Sequence, residues 1–427
     1  MLSSELSADR CVAFGGYAMK KKLALLLCFA LLLPCLTACQ EEEVVDHIVK
    51  VGLFEPLTGD NAQYGNWERL GAEYARTVRQ DAFVDGLRYT VELVEEDTES
   101  RIDGSVYAAR RLVDQGVSIA LGTYGSSECS VAAPSLEEAG ISAIGITCTD
   151  PTVTGSHANY YRVCYTNEYQ AKLLADYAYE YGARVAYCLA QTDRAYDRAM
   201  CDMFIKEFKA LGGTVITTVT TILYNTYSTS LNNFADYLYG AVTNKADVMF
   251  APIPPRKGAQ LIGECAASDV RFSLLGDVNW DVSTISEAAK DTYMYVSCAS
   301  IFPTDRSDET LAFTQGFQDW LNADDRRIAA NGGNDSVNPA SALAYDAYMM
   351  AIEAIEAASS TDPEAVSAAL SGVSWHGVTG DLSFDATGDA LRSDIYLKHA
   401  DTYTGTYRFE KAQAARHALE NQTRPTE

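Results

Sequence analysis

The chain has 427 residues, 11 cysteines and a formal net charge of -25. A protein with this large negative charge repels the phosphates of nucleic acid and the anionic head groups of lipids. We therefore expect electrostatic binding to neither nucleic acid nor anionic lipid head groups. The length fits two or three domains or one pair of interleaved lobes, and an apolar content of 48% is ample for sizeable cores.

The first 38 residues have the layout of an export signal. A cationic cluster at residues 20–22 follows Met19, and an apolar run covers residues 23–33. A run this short predicts a secretory signal peptide rather than a membrane-spanning helix. Residues 1–18 are neither cationic nor apolar enough to belong to it. We therefore interpret them as an over-extended start, with Met19 as the initiator.

The signal ends in Leu36-Thr37-Ala38-Cys39, which resembles the lipobox of bacterial lipoproteins. In that family the cysteine becomes the first mature residue and carries a diacylglyceryl group. The resemblance implies lipidation at Cys39, with residues 39–46 as anchor and acidic tether. More than one acyl chain makes a stable attachment to the lipid bilayer. The alternative is an ordinary cleaved signal with a chance cysteine.

Seven cysteines remain after Cys39, namely Cys129, Cys148, Cys164, Cys188, Cys201, Cys265 and Cys298. An odd number leaves at least one thiol unpaired in a monomer, and no Cys-x-x-Cys spacing occurs. We expect buried free thiols, with a Cys129–Cys148 bridge as the alternative.

Strand and helix patterns alternate along the rest of the chain. Runs typical of strands cover residues 47–54, 87–93, 117–121, 141–146, 184–190, 214–223 and 247–253. Helical spacing connects them, around residues 67–78 and 106–113, from about residue 128, and over 167–181, 196–211 and 231–242. Two such alternating series predict an α/β fold with two doubly wound parallel-sheet lobes. The turn-rich segment at residues 372–410 is expected to return to one of the lobes.

The usual signatures of catalysis are absent from the sequence. It contains no phosphate-binding Gly-x-x-x-x-Gly-Lys-Ser/Thr loop, no His-Glu-x-x-His helix and no Gly-x-Ser-x-Gly elbow. The five histidines are scattered, which argues against a metal cluster. We therefore expect neither an enzyme nor a bound cofactor or metal.

Three polar loops follow predicted strands, at residues 54–65, 122–127 and 146–151. Loops in these places lie at the carboxyl edge of a parallel sheet, where open α/β folds bind ligands. Ser126 and Ser127 stand at a predicted helix start, which favours binding of a carboxylate. The alternative is that they are simple N-caps.

In this order and spacing the loops resemble those of the type I periplasmic binding proteins, most closely the branch that receives leucine, isoleucine and valine for ABC transporters. The resemblance covers nearly all of the mature chain. Its most specific segment is Gly377-Val378-Thr379-Gly380-Asp381-Leu382-Ser383-Phe384-Asp385-Ala386-Thr387-Gly388-Asp389, preceded by Ala344-Tyr345-Asp346-Ala347. It implies two lobes joined by a three-stranded hinge. Lobe 1 would comprise residues 47–166 and 297–374, lobe 2 residues 167–296 and 375–413, and a tail residues 414–427.

The resemblance also implies a set of ligand-binding residues. Ser126, with Ser127 beside it, falls on the serine that contacts the ligand α-carboxylate. Thr147 and Thr149 fall on positions that hold both main-chain groups of an amino acid. Tyr64 and Tyr196 fall on aromatic walls of the pocket, one from each lobe.

The acidic residue that pairs with an α-ammonium is less clearly placed, because the family's position aligns with Val278. Asp277 or Asp281 could replace it by a small shift of register, and we select Asp277. If neither replaces it, the ligand lacks a free ammonium group.

By this resemblance the protein is a monomeric, extracytoplasmic solute-binding lipoprotein of an ABC importer. It would capture a small amino acid, of branched-chain type, by hinge closure and present it to an ABC permease. The alternative is a receptor of the same fold that senses amides, small acids or peptides for a membrane partner.

Overall fold

The computed structural model describes residues 47–217, 224–268, 270, 272–303, 307–392 and 394–414. The signal peptide, Cys39 and the tether lie outside the described residues. All seven cysteines from Cys129 to Cys298 are buried and free, so the Cys129–Cys148 bridge is not formed. No helix in the described ranges combines the length and apolarity that crossing a membrane requires.

The first part of the chain forms a six-stranded sheet with the strand order β2-β3-β1-β4-β5-β6. Its strands are β1 (Ile48–Glu55), β2 (Asp81–Val84), β3 (Leu87–Asp97), β4 (Ile119–Gly122), β5 (Ala143–Gly145) and β6 (Tyr160–Arg162). The connecting helices are α1 (Ala62–Val78), α2 (Ile102–Gln115), α3 (Ser126–Glu137) and α4 (Thr152–Ser156). All neighbours pair in parallel except the edge strand β2, which pairs antiparallel with β3. The pattern did not predict β2, because it has only four residues.

The second sheet has eight strands, in the order β16-β15-β12-β11-β10-β7-β8, with β9 also paired to β7. These strands are β7 (Val185–Gln191), β8 (Thr214–Ile216), β9 (Asn225–Tyr227), β10 (Val248–Phe250), β11 (Ser273–Gly276), β12 (Val296–Ser300), β15 (Asp394–Asp401) and β16 (Thr406–Ala414). The helices around them are α5 (Asn167–Glu180), α6 (Ala195–Ala210), α7 (Ala235–Thr243), α8 (Pro255–Ala267) and α9 (Ser283–Ala289). The strand predicted over residues 214–223 is shorter, ending at Ile216, and residues 218–223 lie outside the described ranges.

The chain between β12 and β15 packs beside the first sheet. It contains α10 (Asp308–Asn322), α11 (Asp325–Ala330), α12 (Pro339–Ala358), α13 (Pro363–Leu370) and the hairpin of β13 (Ser374–Gly377) and β14 (Gly380–Ser383). Ala72 and Ala75 of α1 share a core with Ala344 and Ala347 of α12. Helices α2 and α3 cover the opposite face of the sheet, so this lobe is a three-layer sandwich.

Two parallel-dominated sheets, each covered by helices, confirm the predicted α/β fold of two doubly wound lobes. The chain passes between the lobes after β6, after β12 and before β15. Arg392, just before β15, joins two of these crossings, because its Nε donates to the carbonyl of Val163, which follows β6 (2.7 Å). Its Nη1 also donates to the Thr379 carbonyl in the turn of the β13–β14 hairpin (2.8 Å).

Two predicted lobe bounds need correction. Residues 297–300, assigned to lobe 1, lie in β12 of the second sheet, and residues 375–383, assigned to lobe 2, lie in the hairpin held to α12 through Asp346. The other bounds remain a prediction.

Candidate functional site

A cavity of about 340 Å³ lies at the carboxyl ends of strands from both sheets. This is the place where open α/β folds bind ligands, and the volume suits a small molecule. Six of the seven predicted ligand-binding residues line it: Tyr64, Ser126, Ser127, Thr147, Thr149 and Tyr196. The seventh, Asp277, lies directly behind Tyr196 and Asn279 in the wall. The fold therefore brings the predicted residues together, while their binding roles remain a prediction.

Helix α3 presents an open N-terminus to the cavity. Gly125 precedes the helix with φ = 102° and has no side chain that could cap it. Ser126 is the first helical residue, and its hydroxyl accepts a hydrogen bond from the backbone N–H of Asp150 (3.1 Å). The N-cap interpretation of Ser126 is therefore wrong, because Gly125 holds that position. Uncapped N–H groups and the helix dipole together favour a negative charge at this place, as the carboxylate prediction requires.

Thr147 and Thr149 belong to the loop that follows β5. The Thr147 hydroxyl donates a hydrogen bond to Oε1 of Glu68. The Thr149 carbonyl accepts from the N–H of Asn167 at 2.9 Å, which ties this loop to the start of α5. Both threonines contribute to the first-lobe wall of the cavity.

Aromatic side chains form much of the remaining wall. Tyr64 stacks on Tyr124 with ring centroids 4.7 Å apart and an interplanar angle of 9°, and it meets Trp67 edge-on at 5.5 Å. Tyr165 and Tyr196 complete the aromatic lining. Such rings offer an apolar body with polar tips, so the cavity can accept both aliphatic and planar solutes.

The structure separates the two candidate aspartates. Asp281 forms a buried ion pair with Lys398 at 2.8 Å and accepts a hydrogen bond from Ser300, and it does not line the cavity. Asp277 accepts hydrogen bonds from the Tyr196 hydroxyl and the Asn279 amide, both at 2.7 Å. Its Oδ1 is buried without a hydrogen-bond partner among the described residues. Of the two aspartates, Asp277 is therefore the one hydrogen-bonded to cavity-lining residues, and its role in ligand binding remains a prediction.

Burial raises the pKa of Asp277 to about 6, although hydrogen bonds from Tyr196 and Asn279 and the charge of Arg194 act in the opposite direction. Removing water destabilises the ionised carboxylate, and one oxygen has no donor to compensate.

Arg194 and Asp197 are site residues that sequence reasoning missed. Arg194 lines the cavity, and its Nε donates to Oδ1 of Asp197 at 3.0 Å. Burial raises the pKa of Asp197 to about 7, although the charge of Arg194 opposes the rise. An Arg-x-x-Asp spacing at a helix start is common on surfaces, so the sequence alone did not single it out.

Glu68 is a third missed residue, and it contributes a buried carboxyl to the cavity wall. Burial raises its pKa to about 8. Glu55 of β1 lies beside it, and Oε2 of Glu55 accepts a hydrogen bond from the N–H of Tyr124 at 2.8 Å. Oε1 of Glu55 and Oε2 of Glu68 have no hydrogen-bond partner among the described residues. Burial, reinforced by the neighbouring Glu68, raises the pKa of Glu55 well above its ordinary value.

A sequence signal for Glu68 did exist. The buried stripe of α1 runs through Gly65, Glu68, Ala72 and Ala75, which are spaced three or four residues apart. A lone acid in an otherwise small, apolar stripe marks a buried carboxyl.

Within the described ranges, no group of three or more histidine, cysteine, aspartate or glutamate side chains is arranged to hold a metal ion. The arrangement contains binding groups of both signs, aromatic surface and a hinge between two lobes. It defines a two-lobed solute-binding protein.

The chain belongs to the periplasmic binding protein family, whose sequence profile matches residues 48–404. This membership confirms the predicted family and also the expectation that the protein binds a solute and is not an enzyme.

Individual relatives agree with this assignment. The Leu/Ile/Val-binding protein BraC3 of Rhizobium johnstonii is 25% identical over 370 residues, which cover 82% of this chain and 90% of the relative. The leucine-binding protein LivK of Thermotoga maritima superposes with a TM-score of 0.72 at 22% identity, covering 86% of this chain and 99% of that one. A solute-binding protein of an ABC transporter from R. palustris, solved with benzoate, superposes with a TM-score of 0.70 at 19% identity, covering 86% of this chain and 96% of that one. The two structural matches show a shared fold.

Proposed function

We propose that this protein is an extracytoplasmic, lipid-anchored receptor that captures a small amino acid, of branched-chain type, and delivers it to an ABC permease. The curated relative BraC3 is a Leu/Ile/Val-binding protein, which supports this ligand class. The aliphatic side chains of Val278, Ile301 and Leu343 in the cavity wall also suit a branched aliphatic group.

One observation carries the proposal. The first-lobe wall offers the open N-terminus of α3 with Ser126 and Ser127, whereas the second lobe places the Asp277 charge behind Tyr196. A zwitterion has a carboxylate and an ammonium close together, so it matches these two walls at once. A solute with only one charge would leave one of the two walls uncompensated.

The mechanism is capture by closure. First-lobe hydroxyl and N–H groups bind the solute, and the second lobe then swings about the three crossings to bring Tyr196 against it. Closure excludes water, so each charged hydrogen bond becomes stronger. The closed shape is what the permease recognises.

A panel of thermal melts tests the ligand class. A true ligand at ~100 times its dissociation constant stabilises the protein by about 2.7 kcal/mol, which raises the melting temperature. Leucine, isoleucine and valine should give the largest shifts. A flat response to all twenty amino acids would rule out the amino-acid proposal and leave the fold untouched.

A second candidate is a receptor for small aromatic acids, within the alternative of a sensor for amides, small acids or peptides. The stacked Tyr64–Tyr124 pair and the Arg194 guanidinium in the cavity wall favour it. The R. palustris neighbour was solved with benzoate. Melts with benzoate beside phenylalanine separate the two candidates, since only phenylalanine carries an ammonium. Permease and ATPase genes beside this one would favour transport over sensing.

The anchor at Cys39 is tested separately. Cells that express the wild-type chain and are fed a labelled fatty acid should yield a labelled protein in the membrane fraction. The Cys39→Ala variant should be unlabelled. Equal labelling of both proteins would show that Cys39 is not the lipidation site.

A further inference from the structure

The Glu55–Glu68 pair lies at the wall of the solute cavity, and the capture mechanism above does not use it. Both side chains are fully buried, and Glu68 lines the cavity. A buried carboxyl needs a partner or a proton, because an isolated buried charge is costly. Arg194, a cation of the cavity wall, is already paired with Asp197. Protons are therefore the compensation that this pair uses.

Glu68 touches a proposed ligand-binding group through Thr147. The hydroxyl of Thr147 and Oε1 of Glu68 are hydrogen-bonded. A threonine hydroxyl has one proton, so it can donate to only one partner at a time. An ionised Glu68 accepts the hydrogen bond from the Thr147 hydroxyl, and Thr147 then offers only its lone pairs to the cavity. A protonated Glu68 can itself donate to Thr147, and the threonine proton is then free to point at the solute.

We propose that Glu68 is a positioning residue that sets, through Thr147, whether the first-lobe wall offers a hydrogen-bond donor or only an acceptor to the captured solute, with Glu55 sharing its proton. The proposal rests on the proposed function, since it requires a solute carboxylate at Thr147. Glu68 acts on the solute through the Thr147 hydroxyl.

The chemistry of the surroundings favours the protonated state at neutral pH. Burial raises the pKa of Glu68 to about 8, partly offset by the hydrogen bond from Thr147. The titratable groups that face it are Glu55 from β1 and Cys148 from the loop after β5, and Tyr124 is close enough for the charge of Glu68 to affect its phenol. With Glu55 and Glu68 both protonated, the Thr147 hydroxyl donates to a solute carboxylate.

The affinity for a carboxylate solute depends on pH through Glu68. Below pH 8 the Thr147 hydroxyl can donate to the solute carboxylate. Above pH 8 Glu68 ionises, this donor is lost, and the negative charge of Glu68 repels the solute carboxylate. Affinity for a carboxylate solute should therefore fall as pH rises from 7 to 9. The loss of a hydrogen bond to a charged group corresponds to roughly a tenfold increase in Kd or more.

The test measures Kd by titration calorimetry at pH 7, 8 and 9, with leucine and with benzoate as probes. Benzoate has no amine, so ionisation of the leucine ammonium cannot explain a slope that both probes share. Glu68→Gln should flatten the profile, because an amide donates and accepts at every pH. Glu55→Gln is the matched control, since it replaces a neutral carboxyl with a neutral amide beside an intact Glu68. In this variant Kd should still increase with pH, with the midpoint of the change at a different pH.

A wild-type Kd that is constant from pH 7 to 9 would overturn the proposal, as would a slope that survives in Glu68→Gln. If Kd no longer changes with pH in Glu55→Gln but still changes in Glu68→Gln, the proton that matters belongs to Glu55, and this result would also overturn the proposal. If neither leucine nor benzoate binds at pH 7, the result is different in kind, because the proposed function itself is then removed.

An infrared measurement on the ligand-free protein guards against a Glu68 variant that merely folds poorly. The wild type should show a protonated carboxyl band that disappears around pH 8, and the Glu68→Gln variant should lack that component. An identical band and titration in both proteins would show that Glu68 holds no such proton.

Discussion

Protonation of Asp277 is expected to weaken the capture of an amino acid as the solution is acidified. The pKa of Asp277 is about 6 in the ligand-free protein because the carboxyl is buried. An ammonium group favours the ionised carboxylate, so binding lowers this pKa. The part of the affinity that Asp277 supplies is therefore fully present well above pH 6 and is lost as pH falls toward the pKa of the complex.

The magnitude follows from the position of Tyr196. Its hydroxyl oxygen lies 2.7 Å from Oδ2 of Asp277. An ammonium bonded to that hydroxyl at about 2.9 Å would lie within roughly 5.6 Å of the carboxylate. At an effective dielectric constant of ~20 the attraction is about 3 kcal/mol. This corresponds to a pKa decrease of about 2 units in the complex and to a loss of roughly 100-fold in affinity.

Calorimetric titration with leucine from pH 7 to pH 4 measures the effect. Kd should increase about tenfold between pH 7 and pH 5 and approach its limit near pH 4. Asp277→Asn should bind roughly 100-fold more weakly at pH 7, with no slope between pH 6 and 4. Asp197 and Glu68 also titrate, at about 7 and about 8, so the difference between wild type and variant isolates Asp277.

A wild-type Kd that does not change between pH 7 and 5 would refute this reasoning. The ligand-free protein provides an independent control of sign. A carboxyl whose pKa is raised by folding stabilises the folded state at low pH, and that contribution disappears as pH rises through about 6. As pH rises through about 6, the melting temperature of the wild type should therefore decrease relative to that of the Asp277→Asn variant.

Three further predictions concern single side chains. Ser126→Ala and Thr149→Ala should each weaken a bound amino acid by about 1.5–3 kcal/mol in calorimetry without lowering the melting temperature by more than a few degrees; unchanged affinity in both would show that the carboxylate binds elsewhere. Lys398→Met should cost about 3–5 kcal/mol in denaturant unfolding because it leaves Asp281 buried and unpaired, and a double variant that also carries Asp281→Leu should recover most of the loss if the pair is the cause. Tyr124→Leu should reduce affinity for aromatic solutes by about 0.5–1.5 kcal/mol more than for leucine, and an equal loss for both would argue against ring stacking on the solute.

The sequence alone determined the fold class and most of the cavity. Alternating strand and helix periods are local properties, so the two doubly wound lobes follow from hydrophobic spacing and from turn residues. Loops after parallel strands meet at one edge of each sheet by topology. For this reason the three polar loops could be assigned to one sheet edge from the sequence, whereas the ligand-binding roles of Tyr64, Ser126 and Thr149 followed from the family resemblance.

Only the tertiary structure decided which charges are free to act. Asp277 and Asp281 are four residues apart and equivalent in sequence, yet Lys398, distant along the chain, pairs with Asp281 and leaves one oxygen of Asp277 unpaired. Glu55 and Glu68 likewise become a buried pair only when β1 and α1 pack together. The energy of a charge depends on the dielectric and the partners around it, and residues remote in sequence supply both.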